Sequence, residues 1–149
     1  MASRQARRNA YLYCMFRDEQ YGLYDRYAKS HGLLMKTFLV LNALYYAEGG
    51  MTQKEIAERI YSSKQTVSLV VRRLVEEGAA VAVEDAEDRR STHVSLTEEG
   101  RARYGETVRH ITQSEDEAMA MLSEEEQEQL VSLSRRFTEN LAALVEKGM

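Results

Sequence analysis

The amino-acid sequence predicts a mainly α-helical protein that carries one small β-hairpin. Proline, which breaks helices by removing a backbone donor, is absent from all 149 residues. Apolar residues recur at helical spacing through most of the chain, and only two short segments, 81–83 and 94–96, alternate as strands do. A chain of this length is most simply one domain, so we predict a single domain over 1–149.

Two helices are predicted before residue 50. The first runs from Ala6 to about Ser30, and its apolar surface is wider than a single core contact needs. The second stops at Gly49 and Gly50. The aromatic residues of the first helix are Tyr11, Tyr13, Phe16, Tyr21, Tyr24 and Tyr27, and the apolar stripe of the second is Leu34, Phe38, Leu41 and Tyr45.

A short helix and a longer helix follow, separated by a tight turn. Thr52 and Glu55 have the spacing of a capping box, which predicts a short helix that ends near Ile60. The longer helix covers 63–77, and Gly78 ends it. Two N-terminal caps are compatible with the sequence, Ser62 with Gln65 or Ser63 with Thr66. The residues predicted to be buried on the longer helix are Val67, Val70, Val71 and Leu74.

A hairpin comes next in the predicted order of elements. Val81 and Val83 alternate with small or polar residues, and so do Val94 and Leu96. The residues between these two segments are polar and charged. We therefore predict two strands joined by a loop over 85–90.

Two long helices complete the predicted fold. The first begins at Thr97. The second begins at another capping box, formed by Ser123 and Glu126. Its apolar stripe consists of Leu130, Leu133, Phe137, Leu141 and Leu144.

Several classes of function find no support in the sequence. A single cysteine, Cys14, and three scattered histidines provide no zinc-binding spacing. There is no nucleophile–base spacing and no glycine-rich phosphate loop, so we predict neither an enzyme nor a cofactor. No apolar run reaches the roughly 18 residues of a membrane span, which favours a cytoplasmic protein.

The order short helix, tight turn, helix and hairpin over 49–97 is that of a winged helix-turn-helix. The second helix of such a motif lies in the major groove of DNA. Acidic residues are absent from Ile60 through Val75, 16 residues that hold three cations, although the whole chain has a net charge of −4. Glutamine can pair with adenine and arginine with guanine. The predicted contacts to double-stranded DNA on this helix are Ser63, Lys64, Gln65, Thr66, Ser68 and Arg72.

The hairpin tip adds a second candidate contact to DNA. The segment EDAEDRRSTHVSL, residues 84–96, places Arg89 and Arg90 together in the loop. A hairpin beside a groove-binding helix can reach the adjacent minor groove, whose negative potential attracts arginine. Asp88 could orient an arginine side chain through a charge-assisted hydrogen bond. The alternative is a solvated charged turn without a binding role.

The segments TQKEIAERIYSSKQTVSLVVRRLVEEG and EDRRSTHVSLTEEG resemble the MarR (multiple antibiotic resistance regulator) family of bacterial transcription factors. The most specific part is D-R-R followed, after a short gap, by VSLTEEG. Two departures are visible, because Leu69 stands where an arginine is common and the run over 79–83 lacks a basic residue. We therefore expect weaker or more salt-sensitive DNA binding. The residues that fall on this family pattern are Asp88, Arg89, Arg90, Leu96, Thr97 and Gly100.

The resemblance implies a homodimeric transcriptional regulator, most simply a repressor that a ligand releases from DNA. It assigns 1–48 and 98–149 to a helical dimerisation region and 49–97 to the winged helix-turn-helix. A two-fold dimer contacts a pseudo-palindromic operator with half-sites about 34–36 Å apart.

The resemblance also implies a small-molecule effector or an oxidised cysteine as the switch. Seven of the nine tyrosines lie within 11–46, which suits an aromatic or phenolic effector, although these side chains are also explained as core and dimer-interface residues. Cys14 offers a redox-sensing alternative, with Arg17 one helical turn away. A further alternative is a winged-helix module that binds proteins and not DNA.

Overall fold

The structure, a computed structural model, describes residues 1–88 and 90–149. It confirms the predicted class, mainly α-helical with a small antiparallel sheet. The helices are α1 (Arg4–Ser30), α2 (Met35–Tyr45), α3 (Gln53–Ile60), α4 (Lys64–Glu76), α5 (Glu98–Ala120) and α6 (Glu124–Glu146), and the strands are β1 (Met51–Thr52), β2 (Ala80–Glu84) and β3 (Thr92–Leu96). Within the described residues, no helix combines the length and the apolar character that crossing a membrane requires.

The sheet contains a third strand that the sequence did not predict. β1 pairs with β3, which also pairs with β2, so that the strand order is β1-β3-β2. Gly50 makes this pairing possible, since its φ is +85° and a Cβ built on it would lie 2.5 Å from the carbonyl oxygen of Val94. A two-residue strand has too short a pattern to be detected as alternation, and its partner is more than forty residues away along the chain.

The predicted hairpin is confirmed, but the two valines of β2 do not contribute to the core. Val81 and Val83 are 44% and 59% exposed. The register pairs Ala80 with Leu96, and both of these residues are buried. The inner face of β2 therefore begins with a small side chain, and the valines lie on the opposite face.

Residues 1–108 form one compact unit whose core lies beneath the sheet and between α2, α3 and α4. The predicted stripe of α4 is confirmed in full. On α2, Phe38 and Leu41 are buried as predicted, whereas Leu34 is 61% exposed because it precedes the first helical turn. The core residues are Val40, Leu41, Leu44, Ile56, Ala57, Val67, Val70, Val71, Leu74, Ala79, Ala80, Val94, Leu96 and Val108.

Residues 109–149 form a second compact unit, which contains the end of α5 and all of α6. The capping box predicted for α6 is confirmed: Ser123 Oγ accepts a hydrogen bond from the Glu126 N–H at 3.1 Å, and the Glu126 carboxylate accepts one from the Ser123 N–H at 3.0 Å. These two bonds satisfy backbone donors that the first helical turn cannot satisfy internally.

Candidate nucleic-acid interface

The start of α4 is fixed by Ser63, which resolves the two caps that the sequence allowed. Ser63 Oγ accepts a hydrogen bond from the Thr66 N–H at 3.2 Å and also lies 2.9 Å from Thr66 Oγ1. Ser62 instead uses its backbone N–H, which donates to the Ala57 carbonyl at the end of α3. The cap holds Lys64 and Gln65 in the first turn of α4.

Replacing Ser63 with alanine is expected to lower the free energy of unfolding by about 1 kcal/mol, because the Thr66 N–H loses its acceptor. Urea denaturation measures this change. Ser62→Ala is the matched control, since the Ser62 hydroxyl is not the cap, and it should have a clearly smaller effect. Equal losses in the two variants would contradict the assignment of the cap.

The outer face of α4 lines an open groove of about 780 Å³. Lys64 and Ser68 are four residues apart, as are Ser68 and Arg72, so these side chains lie on one face of the helix. This face is opposite the buried valine stripe. The residues that line the groove are Gln53, Lys64, Gln65, Ser68, Leu69 and Arg72.

A second groove, of about 420 Å³, lies between α4, the start of α3 and the wing, which is the hairpin of β2 and β3 with the loop between them. It shares Gln53 and Lys64 with the first groove. Its lining residues are Thr52, Gln53, Lys54, Lys64, Asp88, Arg90, Ser91 and Thr92. We call the residues that line the two grooves the α4–wing surface.

The α4–wing surface brings together most of the residues that the sequence singled out. Ser63 and Thr66 are the exceptions among the described candidates, and their side chains instead take part in the cap of α4. Arg89 lies outside the described residues. The predicted residues that line the surface are Lys64, Gln65, Ser68, Arg72, Asp88 and Arg90.

Four cations lie on the α4–wing surface, and Asp88 is its one acidic residue. Among the described residues, none of these cations forms a salt bridge within 4.0 Å, whereas Arg17, Lys29, His93 and Arg103 do. No carboxylate of the described protein is therefore paired with these cations, which leaves them available to an external partner. They are Lys54, Lys64, Arg72 and Arg90.

Asp88 accepts a hydrogen bond within the wing loop, and its predicted pairing with Arg89 lies outside the described residues. Its Oδ1 accepts a hydrogen bond from the backbone N–H of Arg90 at 3.0 Å, and within the described part of the chain it pairs with no guanidinium. An aspartate that binds the backbone two residues on forms a local turn. Asp88 thus shapes the hairpin tip, and the Arg90 side chain is left to contact other groups.

Asp85 closes the base of the wing loop. Its backbone N–H donates to the Ser91 carbonyl at 2.8 Å. The pKa of Asp85 is lowered, first because the Glu87 N–H donates to its carboxylate and also because His93 Nε2 lies 3.4 Å from Oδ2. A lowered pKa favours the charged form, so this contribution to wing stability is present above the ordinary aspartate pKa and is lost on acidification.

Gln53 and Lys54 belong to the surface but were missed by the sequence reasoning. Both follow Thr52, whose capping box starts α3, and Lys54 is exposed. Their polar character near a helix N-terminus was visible in the sequence. Their position beside the wing depends on the pairing of β1 with β3, which the sequence did not predict.

Three side chains of α1 bear on the predicted switch. Cys14 is a partly buried free thiol. The guanidinium of Arg17 is bound to Asp18, with 3.0 Å between Arg17 Nε and Asp18 Oδ1, so it is directed to a carboxylate. Tyr27 donates a hydrogen bond to the Thr107 carbonyl at 2.8 Å, and burial raises its pKa, so its hydroxyl already has a partner within the protein.

The chain is similar to regulators of known type. A family model described as MarR family matches residues 31–91. The HTH-type transcriptional regulator SarZ of Staphylococcus epidermidis is 27% identical over 124 residues, which are 83% of this chain and 82% of SarZ. The HTH-type transcriptional regulator MhqR of Bacillus subtilis is 27% identical over 112 residues, 75% of this chain and 77% of MhqR.

Solved structures show the same fold. A MepR–DNA complex from Staphylococcus aureus aligns with a TM-score of 0.72 and 25% identity, covering 89% of this chain and 97% of MepR. NMB1585, a MarR family regulator from Neisseria meningitidis, aligns with a TM-score of 0.79 over 99% of this chain and 100% of its own, at 24% identity.

Proposed function

We propose that the chain, which is similar to MarR-family regulators over 31–91 and in its fold, is a transcriptional regulator of that family, and that it binds double-stranded DNA sequence-specifically through the α4–wing surface. The proposed role is that of a regulator and not of an enzyme. The observation that carries the proposal is the set of four cations that form no ion pair within the described protein, on a chain whose net charge is −4. The similar MepR was solved in complex with DNA.

In the proposed complex, α4 lies in the major groove. Gln65 and Arg72 can form bidentate hydrogen bonds with adenine and guanine, respectively, and Ser68 can contact either bases or phosphates. Lys64 lies near the N-terminus of α4, where the free N–H groups also favour a phosphate. The wing reaches the neighbouring minor groove with Arg89 and Arg90.

We propose that the regulator acts as a homodimer, with 1–48 and 98–149 as the helical dimerisation region and 49–97 as the DNA-binding region. Two helices support this proposal, because each exposes large apolar side chains that a soluble monomer would normally cover. On α1 these residues include Tyr11, Phe16, Tyr21 and Leu23, and on α6 they include Leu130, Val131, Leu133 and Leu144. A two-fold dimer implies a pseudo-palindromic operator.

Repression in the cytoplasm, relieved by an aromatic or phenolic small molecule, is the regulatory scheme that we propose. We propose that the effector site lies in the tyrosine-rich region 11–46. A thermal-shift screen of aromatic and phenolic compounds against the full chain tests for such a ligand. Redox control through Cys14 is the weaker alternative, since its thiol is partly buried.

The proposed function is tested by selecting duplexes from a randomised library with the full chain and measuring their affinity in gel-shift titrations. We expect enrichment of an inverted repeat and an affinity that falls steeply as the salt concentration rises, because phosphate contacts release counterions. A protein-interaction module predicts another result: weak affinity that is the same for every duplex and is unchanged by Arg89→Ala.

A further inference from the structure

Leu69 is the apolar residue among the described residues that line the groove on α4. It is 47% exposed, and every other residue that lines this groove is polar. Leu69 lies one helical turn after Gln65 and almost one turn before Arg72, so it occupies the same face as both. It is therefore located within the proposed DNA-contacting surface and not at its edge.

An exposed leucine leaves favourable burial energy unused until a partner covers it. The edges of base pairs in the major groove consist mostly of hydrogen-bond donors and acceptors. The apolar group that they offer is the C5-methyl group of thymine, which 5-methylcytosine also carries. A leucine among polar side chains on a groove-binding helix matches that methyl group chemically.

We propose that Leu69 is a specificity-determining residue that contacts the C5-methyl group of a thymine in each operator half-site. This proposal rests on the proposed function and extends it, since hydrogen bonds from Gln65 and Arg72 do not detect a methyl group. Four residues of helix rise about 6 Å, so the thymine lies within roughly two base pairs of the base that Gln65 contacts.

The test uses the duplex selected from the randomised library, resynthesised with deoxyuridine in place of each thymine in turn. Deoxyuridine differs from thymidine only by the C5-methyl group, so the hydrogen bonds are preserved. With the wild-type protein, one symmetry-related thymine pair should be sensitive, with a loss of about fourfold per half-site, the equivalent of one buried methyl group. With Leu69→Ala, the same duplexes should bind equally well with thymine or with uracil.

Alanine is a strong helix former, so Leu69→Ala should retain α4, and circular dichroism checks this. Val75→Ala is the matched control. Val75 is 40% exposed on the last turn of α4 and does not line the groove, so this variant should keep the sensitivity to deoxyuridine. A second arm of the test places cytosine or 5-methylcytosine at the sensitive position. The wild type should bind the duplex with 5-methylcytosine more tightly than Leu69→Ala does. The two proteins should bind the duplex with cytosine equally well.

The possible failures are distinguishable. If no sequence is enriched, the proposed function fails and this inference fails with it. If a sequence is enriched but no thymine is sensitive to loss of its methyl group, or if Leu69→Ala keeps the wild-type sensitivity, the proposed function stands and the role of Leu69 is wrong.

Discussion

Replacing Gly100 with alanine is expected to lower the free energy of unfolding by about 3 kcal/mol or more. Gly100 lies in the first turn of α5, directly against the backbone of Ala79. A Cβ at this position would overlap the Ala79 carbonyl oxygen and would lie 2.8 Å from the carbonyl carbon. A neighbouring backbone, unlike the end of a flexible side chain, cannot move aside without breaking its own hydrogen bonds.

Those hydrogen bonds are specific. The Ala79 carbonyl accepts from the Thr97 N–H at 3.0 Å. Thr97 Oγ1 donates to the Gly78 carbonyl at 2.6 Å and accepts from the Gly100 N–H at 3.0 Å. Moving α5 away from Ala79 would therefore disturb the junction of α4, β2 and α5, which also carries the wing.

Gly22→Ala is the matched control for this prediction. Gly22 is also a helical glycine, but its Cβ would lie 3.6 Å from the nearest neighbour, the Arg26 side chain, at ordinary contact distance. Alanine favours a helix over glycine by about 1 kcal/mol, so Gly22→Ala should be neutral or stabilising. Urea denaturation of both variants measures the difference, and a Gly100→Ala protein as stable as Gly22→Ala would contradict the close packing against Ala79.

Much of the fold could be predicted because its determinants are local. The capping boxes at Thr52 and Ser123 each depend on residues three positions apart, and the buried stripe of α4 depends on helical periodicity. The β1–β3 pairing could not be predicted, since it joins Met51 to Val94 across a long sequence separation. The same limit applies to the outward orientation of Val81, because alternation identifies a strand but not its buried face.

The candidate site shows the same division between local and distant determinants. Lys64, Gln65, Ser68 and Arg72 share a helix, so their common face follows from spacing alone. Gln53 reaches the surface through the packing of α3 against α4 and the wing, and the sequence did not indicate this. Helical periodicity places Leu69 on the outer face of α4, but its proposed role depends on the polar residues that surround it in the groove.

Replacing Arg72 with alanine is expected to weaken binding to the selected duplex by about 1–3 kcal/mol, which is roughly 5- to 150-fold in the dissociation constant. The reason is the loss of a bidentate contact from a guanidinium that lines the α4 groove and has no ion-pair partner among the described residues. The preference for one base in each half-site should relax at the same time. Gel-shift titration against duplexes that vary at each position measures both effects.

Arg73→Ala separates this contact from a general loss of charge. Arg73 is the next residue of α4, is also exposed, and does not line either groove. Both substitutions remove one positive charge, so a purely electrostatic attraction to phosphates would make their effects on affinity similar and leave base preference unchanged. If Arg72→Ala and Arg73→Ala weaken binding equally and neither alters base preference, the groove on α4 does not contact the bases, and the assignment of α4 to the major groove is wrong.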